Sequence, residues 1–196
     1  MKVRYYEGKR IYFRPIELED EARFRAWLND SGNWAPLGRA RPINALRERE
    51  FIEKLYKEGS REVALAICLK EGDRLIGVCG LHQLHPVNRC ALFGIVIGDR
   101  EYQNQGYGTE ATRLMVRYGF EELNLNRIGL SVFADNRRAM RAYEKVGFIQ
   151  EGCRRQAFYR GGRYQDELVF GLLRKVWRPS RGLEGNRMSD VSLRTG

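Results

Sequence analysis

The sequence has no long hydrophobic run and only two histidines, and both scarcities narrow the class of protein. A helix that crosses a bilayer needs about 20 consecutive apolar residues, and no stretch approaches that length. The basic start, Met1 to Tyr5, is not followed by the apolar core of a secretory signal. We therefore expect a soluble, cytoplasmic protein without a membrane partner.

Cysteine is also sparse and poorly arranged for metal binding. No CxxC pair occurs, and the two histidines, His82 and His85, form an HxxH pair beside Pro86 that is typical of a loop. A metal site would still lack its other ligands. We expect reduced thiols and no metal at the four cysteines, which are Cys68, Cys79, Cys90 and Cys153.

Charge and apolar content, in contrast, are both plentiful. With 43% apolar and 31% charged residues, the 196-residue chain can bury a core, which excludes wholesale disorder. The net charge of +10 indicates an anionic partner, either a nucleic acid or a phosphorylated cofactor. The length predicts one domain over residues 1–177, and residues 178–196, rich in Pro, Gly, Ser and Arg, are predicted to form a flexible basic tail.

Short apolar runs alternate with helical periodicity, which predicts a mixed α and β domain. Asn44 and Asn136 are suited to cap helices, and Gly59 and Gly147 to end them. A loop is expected over 82–89 and a tight turn at Gly161-Gly162. The predicted strands are 10–14, 63–69, 75–81, 91–97, 128–132, 148–153 and 166–172, and the predicted helices are 17–29, 44–59, 106–118 and 136–147.

A glycine-containing segment, Gln-Asn-Gln-Gly-Tyr-Gly-Thr at 103–109, lies between a predicted buried strand and an amphipathic helix. Glycine lets the backbone approach a ligand, and the free N–H groups of a helix start bind anions such as pyrophosphate. By itself the segment is more typical of a plain tight strand-to-helix connection. A dinucleotide-binding Rossmann domain is disfavoured because the turn follows about four strands and not the first.

A second motif makes the pattern more specific. Residues 10–177 resemble the GNAT superfamily of N-acetyltransferases, whose acetyl-CoA motif is Gln or Arg, two residues, Gly, one residue, Gly or Ala, as at 103–108. Residues 136–148 resemble the other signature of that superfamily, with Tyr143 and Gly147-Phe148 at the expected spacing. Arg14-Pro15 and the blocks 106–111 and 162–166 resemble the branch that contains ribosomal-protein and spermidine N-acetyltransferases.

The resemblance implies an α/β (α+β) fold of the GNAT type. Its central sheet would be mixed and mostly antiparallel, with about six to seven strands, about four flanking helices, and a splay at the strand that binds acetyl-CoA. The implied activity is direct transfer of an acetyl group from acetyl-CoA, the cosubstrate, to a primary amine in a ternary complex. Members of this branch are often dimeric, so a homodimer is an open expectation.

The implied acetyl-CoA site falls on the two motifs. Main-chain groups of the strand before the glycine turn would pair with pantetheine, and the turn and helix start would hold the pyrophosphate. Asn136 would either reach the pantetheine arm or only cap its helix. The implied cofactor-binding residues are Ile95, Val96, Ile97, Gln103, Asn104, Gln105, Gly106, Tyr107, Gly108, Thr109 and Asn136.

Tyr143 is the implied catalytic residue, with a core aromatic as the alternative. Its hydroxyl would protonate the CoA thiolate, because a phenol with a pKa near 10 is still protonated at neutral pH. Many relatives carry a glutamate base on the acetyl-CoA strand, but Leu92 stands at that position here. Glu101, Glu62 and His82, acting through water, are the candidate substitutes.

The absence of a glutamate at position 92 affects which acceptor amine is favoured. An α-amine, with a pKa near 8, needs less help from a base than a polyamine or lysine amine near 10, and a net +10 surface repels polycations. A peptide or ribosomal-protein N-terminus is therefore favoured over a polyamine.

Two other functional classes stay open: a non-enzymatic RNA-binding or ribosome-associated module, which the basic charge suggests, and an acetyl-CoA sensor without transferase activity. Three arginines face either a CoA phosphate or solvent, namely Arg137, Arg138 and Arg141.

Overall fold

The computed structural model describes residues 3–34 and 41–178, so the predicted tail lies outside the described residues except for Arg178. Two short 3-10 turns, Leu18–Asp20 and Arg100–Tyr102, accompany the helices. The strands are β1 (Tyr6–Glu7), β2 (Ile11–Arg14), β3 (Val63–Leu69), β4 (Leu75–His85), β5 (Cys90–Ile97), β6 (Arg127–Phe133), β7 (Ile149–Arg160) and β8 (Arg163–Leu173). The helices are α1 (Glu21–Asn29), α2 (Ser31–Trp34), α3 (Ala45–Leu55), α4 (Tyr107–Glu121) and α5 (Arg137–Glu144).

The strands form one sheet in the order β1-β2-β3-β4-β5-β6-β8-β7. All neighbouring strands run antiparallel except β5 and β6, which are parallel and are connected through α4. The mixed, mostly antiparallel sheet was predicted, but the eight strands and five helices found within residues 3–34 and 41–178 exceed the expected numbers. The two-residue β1 and the one-turn α2 account for the difference, because neither is long enough to show a hydrophobic period.

The sheet has a separate apolar layer on each face. Alternation within β2 shows the division, since Ile11 and Phe13 belong to the cluster under α4 whereas Tyr12 belongs to the cluster under α1 and α3. Helix α4 contributes buried Leu114 and Met115 to its layer, and it packs against β4 and β5. Strand β5 contributes Ala91 and Phe93 to the layer under α4.

Two helices, α3 and α5, begin at the side-chain caps that the sequence predicts. The Asn44 side chain accepts the N–H of Arg47 (3.0 Å), and the Asn136 side chain accepts the N–H of Ala139 (3.2 Å). Gly147, at φ +105°, follows α5. These two caps set where α3 and α5 begin, and the second places α5 beside the start of α4.

Several predicted boundaries were wrong, among them the end of helix 44–59, which the structure places at Leu55. The first half of the predicted loop 82–89 is strand, because β4 continues through a bulge to His85, with Gln83 at φ +54°. The predicted helix 17–29 begins only at Glu21, because the Asp20 carboxylate holds a 3-10 turn by accepting the N–H of Glu17. Strands β7 and β8 are longer than predicted. Their outer residues are exposed, so no alternation of apolar and polar residues marks these ends as strand in the sequence.

The helices and the cysteines bear on membrane spanning and metal binding. Within residues 3–34 and 41–178, none of the helices combines the length and apolar character needed to span a membrane. Over the same ranges, no three His, Cys, Asp or Glu side chains converge as metal ligands. The cysteines are free thiols: Cys68 and Cys79 are buried, Cys90 is partly buried and Cys153 is exposed.

Candidate active site

The strands β5 and β6 separate part-way along their length. They pair only over residues 90–92 and 127–129, although β5 continues to Ile97 and β6 to Phe133. Beyond Leu92 a cleft of about 520 Å³ opens, bordered by β5, by Ser131 and Val132 of β6, and by the starts of α4 and α5. The splay expected from the resemblance therefore lies where it was predicted.

The main chain of β5 offers hydrogen-bonding groups to this cleft. The Gly98 N–H, just after β5, donates to a carbonyl of β4 (3.0 Å), and antiparallel pairing alternates from residue to residue. The peptide groups of Val96 therefore face β4, whereas those of Ile95 and Ile97 face the cleft. From the cleft side, Gln103 Nε2 donates to Ile97 O (2.8 Å). The N–H and C=O of Ile95 lie where an extended ligand chain can pair with them.

Helix α4 begins at the cleft with unpaired N–H groups. Gly106, its N-cap, has φ +84°, a left-handed conformation that glycine adopts without strain, and it carries no side chain to cap the helix. The first helical hydrogen bond runs from Glu110 N–H to Gly106 O (3.0 Å). The N–H groups of Tyr107, Gly108 and Thr109 therefore have no acceptor within the helix, which makes this end a site for an anion.

The side chain of Gln103 joins three elements around the cleft. Its Nε2 donates to Asn33 Oδ1 (3.0 Å) on α2 and to Ile97 O on β5, and its Oε1 accepts from Arg138 (3.0 Å) on α5. Its main-chain N–H donates to Arg100 O (3.1 Å). Every hydrogen that Gln103 can donate thus has a protein acceptor, so this residue braces the cleft.

Positive charge collects at the same end of the cleft. Arg138, Arg141 and Lys145 line it, and Arg138 is tied to Gln103. Cations beside a helix N-terminus are ordinarily unfavourable, because both carry positive charge. A bound polyphosphate would interact favourably with the cations and with the free N–H groups of α4 together.

Tyr143, on α5, lines the cleft between two aromatic neighbours. Its ring meets Phe93 (centroids 6.2 Å apart) and Phe148 (6.0 Å) at steep angles. Its hydroxyl has no hydrogen bond to any residue in the described ranges. Burial raises the pKa of Tyr143 to about 12, with Arg138 opposing the shift. The hydroxyl therefore keeps its proton, so that it can donate a hydrogen bond, and it is a weaker acid than a free phenol.

A second cavity of about 210 Å³ lies on the other face of β5, beneath α1 and α3. Its walls are mostly apolar, with Phe24 and Leu28 from α1 and Phe51 from α3, and its polar groups include Glu48 and His82. Both cavities are bordered by the same three residues of β5, which are Gly94, Ile95 and Val96. Two ligands, one in each cavity, would meet across a single strand.

The structure brings most of the predicted site residues into the first cleft. All of them border it except Gln105 and Tyr107. The Gln105 side chain donates to a carbonyl in the preceding 3-10 turn (2.6 Å), and the Tyr107 ring lies under the Arg10 guanidinium (4.2 Å). Asn33, the buried partner of Gln103, was not predicted, because the single turn of α2 gives no periodic signal.

Comparisons with known proteins agree with this geometry. A family model described as an acetyltransferase (GNAT) domain matches residues 10–149. The probable N-acetyltransferase YjcK of Bacillus subtilis is 34% identical over 178 residues, covering 85% of this chain and 96% of the relative. The candidate ribosomal N-acetyltransferase YdaF of the same organism is 36% identical over 103 residues, but the match spans only 53% of this chain and 56% of the relative.

A solved structure matches most of the chain. It is the spermidine N-acetyltransferase from Vibrio cholerae in complex with CoA and spermine, with a TM-score of 0.79, 25% identity, and coverage of 85% of this chain and 96% of that chain. Family model, relatives and fold agree with the resemblance seen in the motifs, so the activity is that of an N-acetyltransferase with acetyl-CoA as cosubstrate. The chain belongs to the GNAT acetyltransferase family.

Proposed function

We propose that this N-acetyltransferase moves the acetyl group directly from acetyl-CoA to a primary amine held at the same time, and that the preferred amine is a peptide or ribosomal-protein N-terminus. The observation that carries the proposal is the pair of cavities that share Gly94, Ile95 and Val96. Simultaneous binding on the two sides of one strand gives the proximity that acyl transfer needs.

The first cleft suits acetyl-CoA along its length. The N–H groups of α4 would hold the pyrophosphate, and Arg138, Arg141 and Lys145 would add positive charge. The Ile95 peptide group would pair with the extended pantetheine arm. Gln103 would act by positioning Arg138 and β5, because its own donors are already engaged. Asn136 would act first as the cap of α5.

The hydroxyl of Tyr143 would stabilise the leaving sulfur by donating a hydrogen bond. Full proton transfer is disfavoured, because a phenol with a pKa of about 12 is a much weaker acid than an alkyl thiol near 8.5. A preorganised donor aimed at developing charge is worth about 10²–10³-fold in rate without transferring its proton. This changes the role implied by the motif from general acid to electrostatic donor.

The second cavity favours a monoamine with an apolar neighbour. Its walls are largely Phe24, Leu28, Phe51 and Val78, as suits the first side chain of a peptide, and the buried Glu48 is of the right charge to attract one ammonium group. A polyamine is the second candidate, because the fold matches a spermidine N-acetyltransferase in complex with spermine. The single domain over 1–177, the flexible tail, the homodimer and the ribosome association stay predictions.

A panel of amines tests the acceptor. Purified protein is incubated with acetyl-CoA and, separately, N-terminal peptides of ribosomal proteins, spermidine and an aminoglycoside, and the products are read by mass spectrometry. We expect the highest kcat/KM for a peptide, acetylated on its α-amine. Higher efficiency with spermidine would replace the peptide assignment with the polyamine one, and binding of acetyl-CoA without any acetylated product would overturn the proposal.

Direct transfer predicts that no cysteine carries the acetyl group. Cys79, which borders the second cavity, is the only thiol at either cavity among the described residues, and burial raises its pKa well above the ordinary range. A thiol that stays protonated is a poor nucleophile. Replacing all four cysteines by alanine or serine should keep turnover within roughly tenfold, about 1.4 kcal/mol in the barrier. An acetyl-cysteine trapped in the intact mass spectrum would contradict direct transfer.

A further inference from the structure

The sheet places an imidazole beside the strand position where the base was expected. His82 of β4 is the cross-strand partner of Leu92 on β5. On its other side the register step after Val63–Leu81 puts Glu62 opposite His82. Cross-strand partners project to the same face of a sheet, so Glu62, His82 and Leu92 form one row on the face of the second cavity.

The two ring nitrogens of His82 have different surroundings. Nδ1 lies 3.7 Å from Glu62 Oε2, which is an ion-pair distance. Nε2 lies over Gly94, where an added Cβ would stand only 3.3 Å from it. Gly94 borders both cavities, so Nε2 faces the point where the two proposed ligands would meet. A carboxylate beside one nitrogen orients the ring and stabilises the imidazolium formed at the other.

The other candidate groups are less well placed to act as the general base. Glu101 borders neither cavity and is paired with Arg74 (3.4 Å) on the exposed surface. Glu62 borders neither cavity and reaches the site only through His82. Glu48 borders the second cavity, as His82 does, but it lies on helix α3 and not on the strand beside β5. His82 is therefore favoured, because its Nε2 lies over Gly94 on the strand that the cavities share.

We propose that His82, positioned by Glu62, is the general base that deprotonates the acceptor amine, an inference that rests on the proposed function. The acceptor ammonium gives one proton to Nε2 of His82. The lone pair freed on the amine nitrogen then forms the C–N bond with the acetyl carbon while the C–S bond breaks. The amine nitrogen loses a second proton, which ends on the sulfur as the thiol of CoA forms. The imidazolium then returns its proton to solvent, so the overall reaction releases one proton.

The groups that face His82 come from four parts of the fold. Glu62 faces it from just before β3 and Glu48 from α3, while β5 presents Leu92 and Gly94 and α1 presents Phe24. Replacing Glu62 by glutamine keeps the size of the side chain but removes the carboxylate that orients the ring, so kcat/KM for the acceptor should fall part of the way toward that of His82→Gln.

The test compares His82→Gln, Glu62→Gln and the control His85→Gln across pH. His85 is the only other histidine, lies on the same strand, and borders neither cavity. For His82→Gln we expect kcat/KM for the acceptor to fall at least tenfold near pH 7, with a smaller defect at about pH 9.5, where the amine loses its proton unaided. Glu62→Gln should show a smaller defect with the same pH dependence, and His85→Gln should match the parent.

Acetyl-CoA titration on the same preparations separates this inference from the proposed function. Unchanged acetyl-CoA binding together with the acceptor-side defect supports His82 as the base. Parental kcat/KM for His82→Gln at every pH would overturn it, as would a defect that does not depend on pH. Bound acetyl-CoA with no amine acetylated by the parent would overturn the proposed function and the base assignment together.

Discussion

Gly106→Glu is expected to abolish acetyl-CoA binding, which in the parent we expect in the micromolar range. The new carboxylate would stand at the N-terminus of α4, where the free N–H groups of Tyr107, Gly108 and Thr109 form the proposed pyrophosphate site. It would both occupy those donors and repel the phosphates. We expect a loss of at least ~10³-fold in affinity, about 4 kcal/mol, by calorimetric titration.

Two controls separate the charge from the backbone strain. Gly106→Ala carries the same left-handed strain at φ +84°, about 1–2 kcal/mol, without the carboxylate, and should retain measurable binding. Gly162→Glu makes the same change at φ +80° in the open turn between β7 and β8, and should bind acetyl-CoA like the parent. Parental affinity for Gly106→Glu would place the pyrophosphate elsewhere.

The glycine turn could be predicted because its information is local. Gly106 and Gly108 are two positions apart in sequence between a strand pattern and a helix pattern, and the helix start they form needs no distant partner. Asn136 is similar, because its cap closes on a residue three positions later. Features of this kind depend only on residues close together in sequence, which is why the presence of α4 and α5 was predicted correctly.

The role of Gln103 could not be predicted, because its partners are distant. Asn33 lies 70 positions away and Arg138 lies 35 away, and no periodic pattern reports either contact. His82 was predicted only as one of three candidate bases, and its place on a strand was missed: the pair of histidines beside Pro86 suggested a loop, whereas a bulge at Gln83 lets β4 continue past His82. Register across a sheet is a tertiary property, so the row of Glu62, His82 and Leu92 appears only in the folded chain.

Tyr143→Phe is expected to lower turnover by about 10²-fold or more while acetyl-CoA affinity stays nearly unchanged. The ring keeps its contacts with Phe93 and Phe148, so only the donor to the leaving sulfur is lost. The hydroxyl has no hydrogen-bond partner among the described residues, so its removal should leave the melting temperature equal or higher. These expectations divide the packing function of the side chain from its chemical one.

The pH dependence of this variant distinguishes Tyr143 from His82. Because burial raises the pKa of Tyr143 to about 12, the hydroxyl keeps its proton between about pH 6 and 10, and the loss in Tyr143→Phe should be constant over that range. Tyr118→Phe is the matched control, since Tyr118 is a buried tyrosine on α4 that borders neither cavity. Steady-state kinetics and thermal melting are measured on the same preparations. Full activity in Tyr143→Phe would show that Tyr143 is only a core aromatic and that solvent stabilises the leaving sulfur.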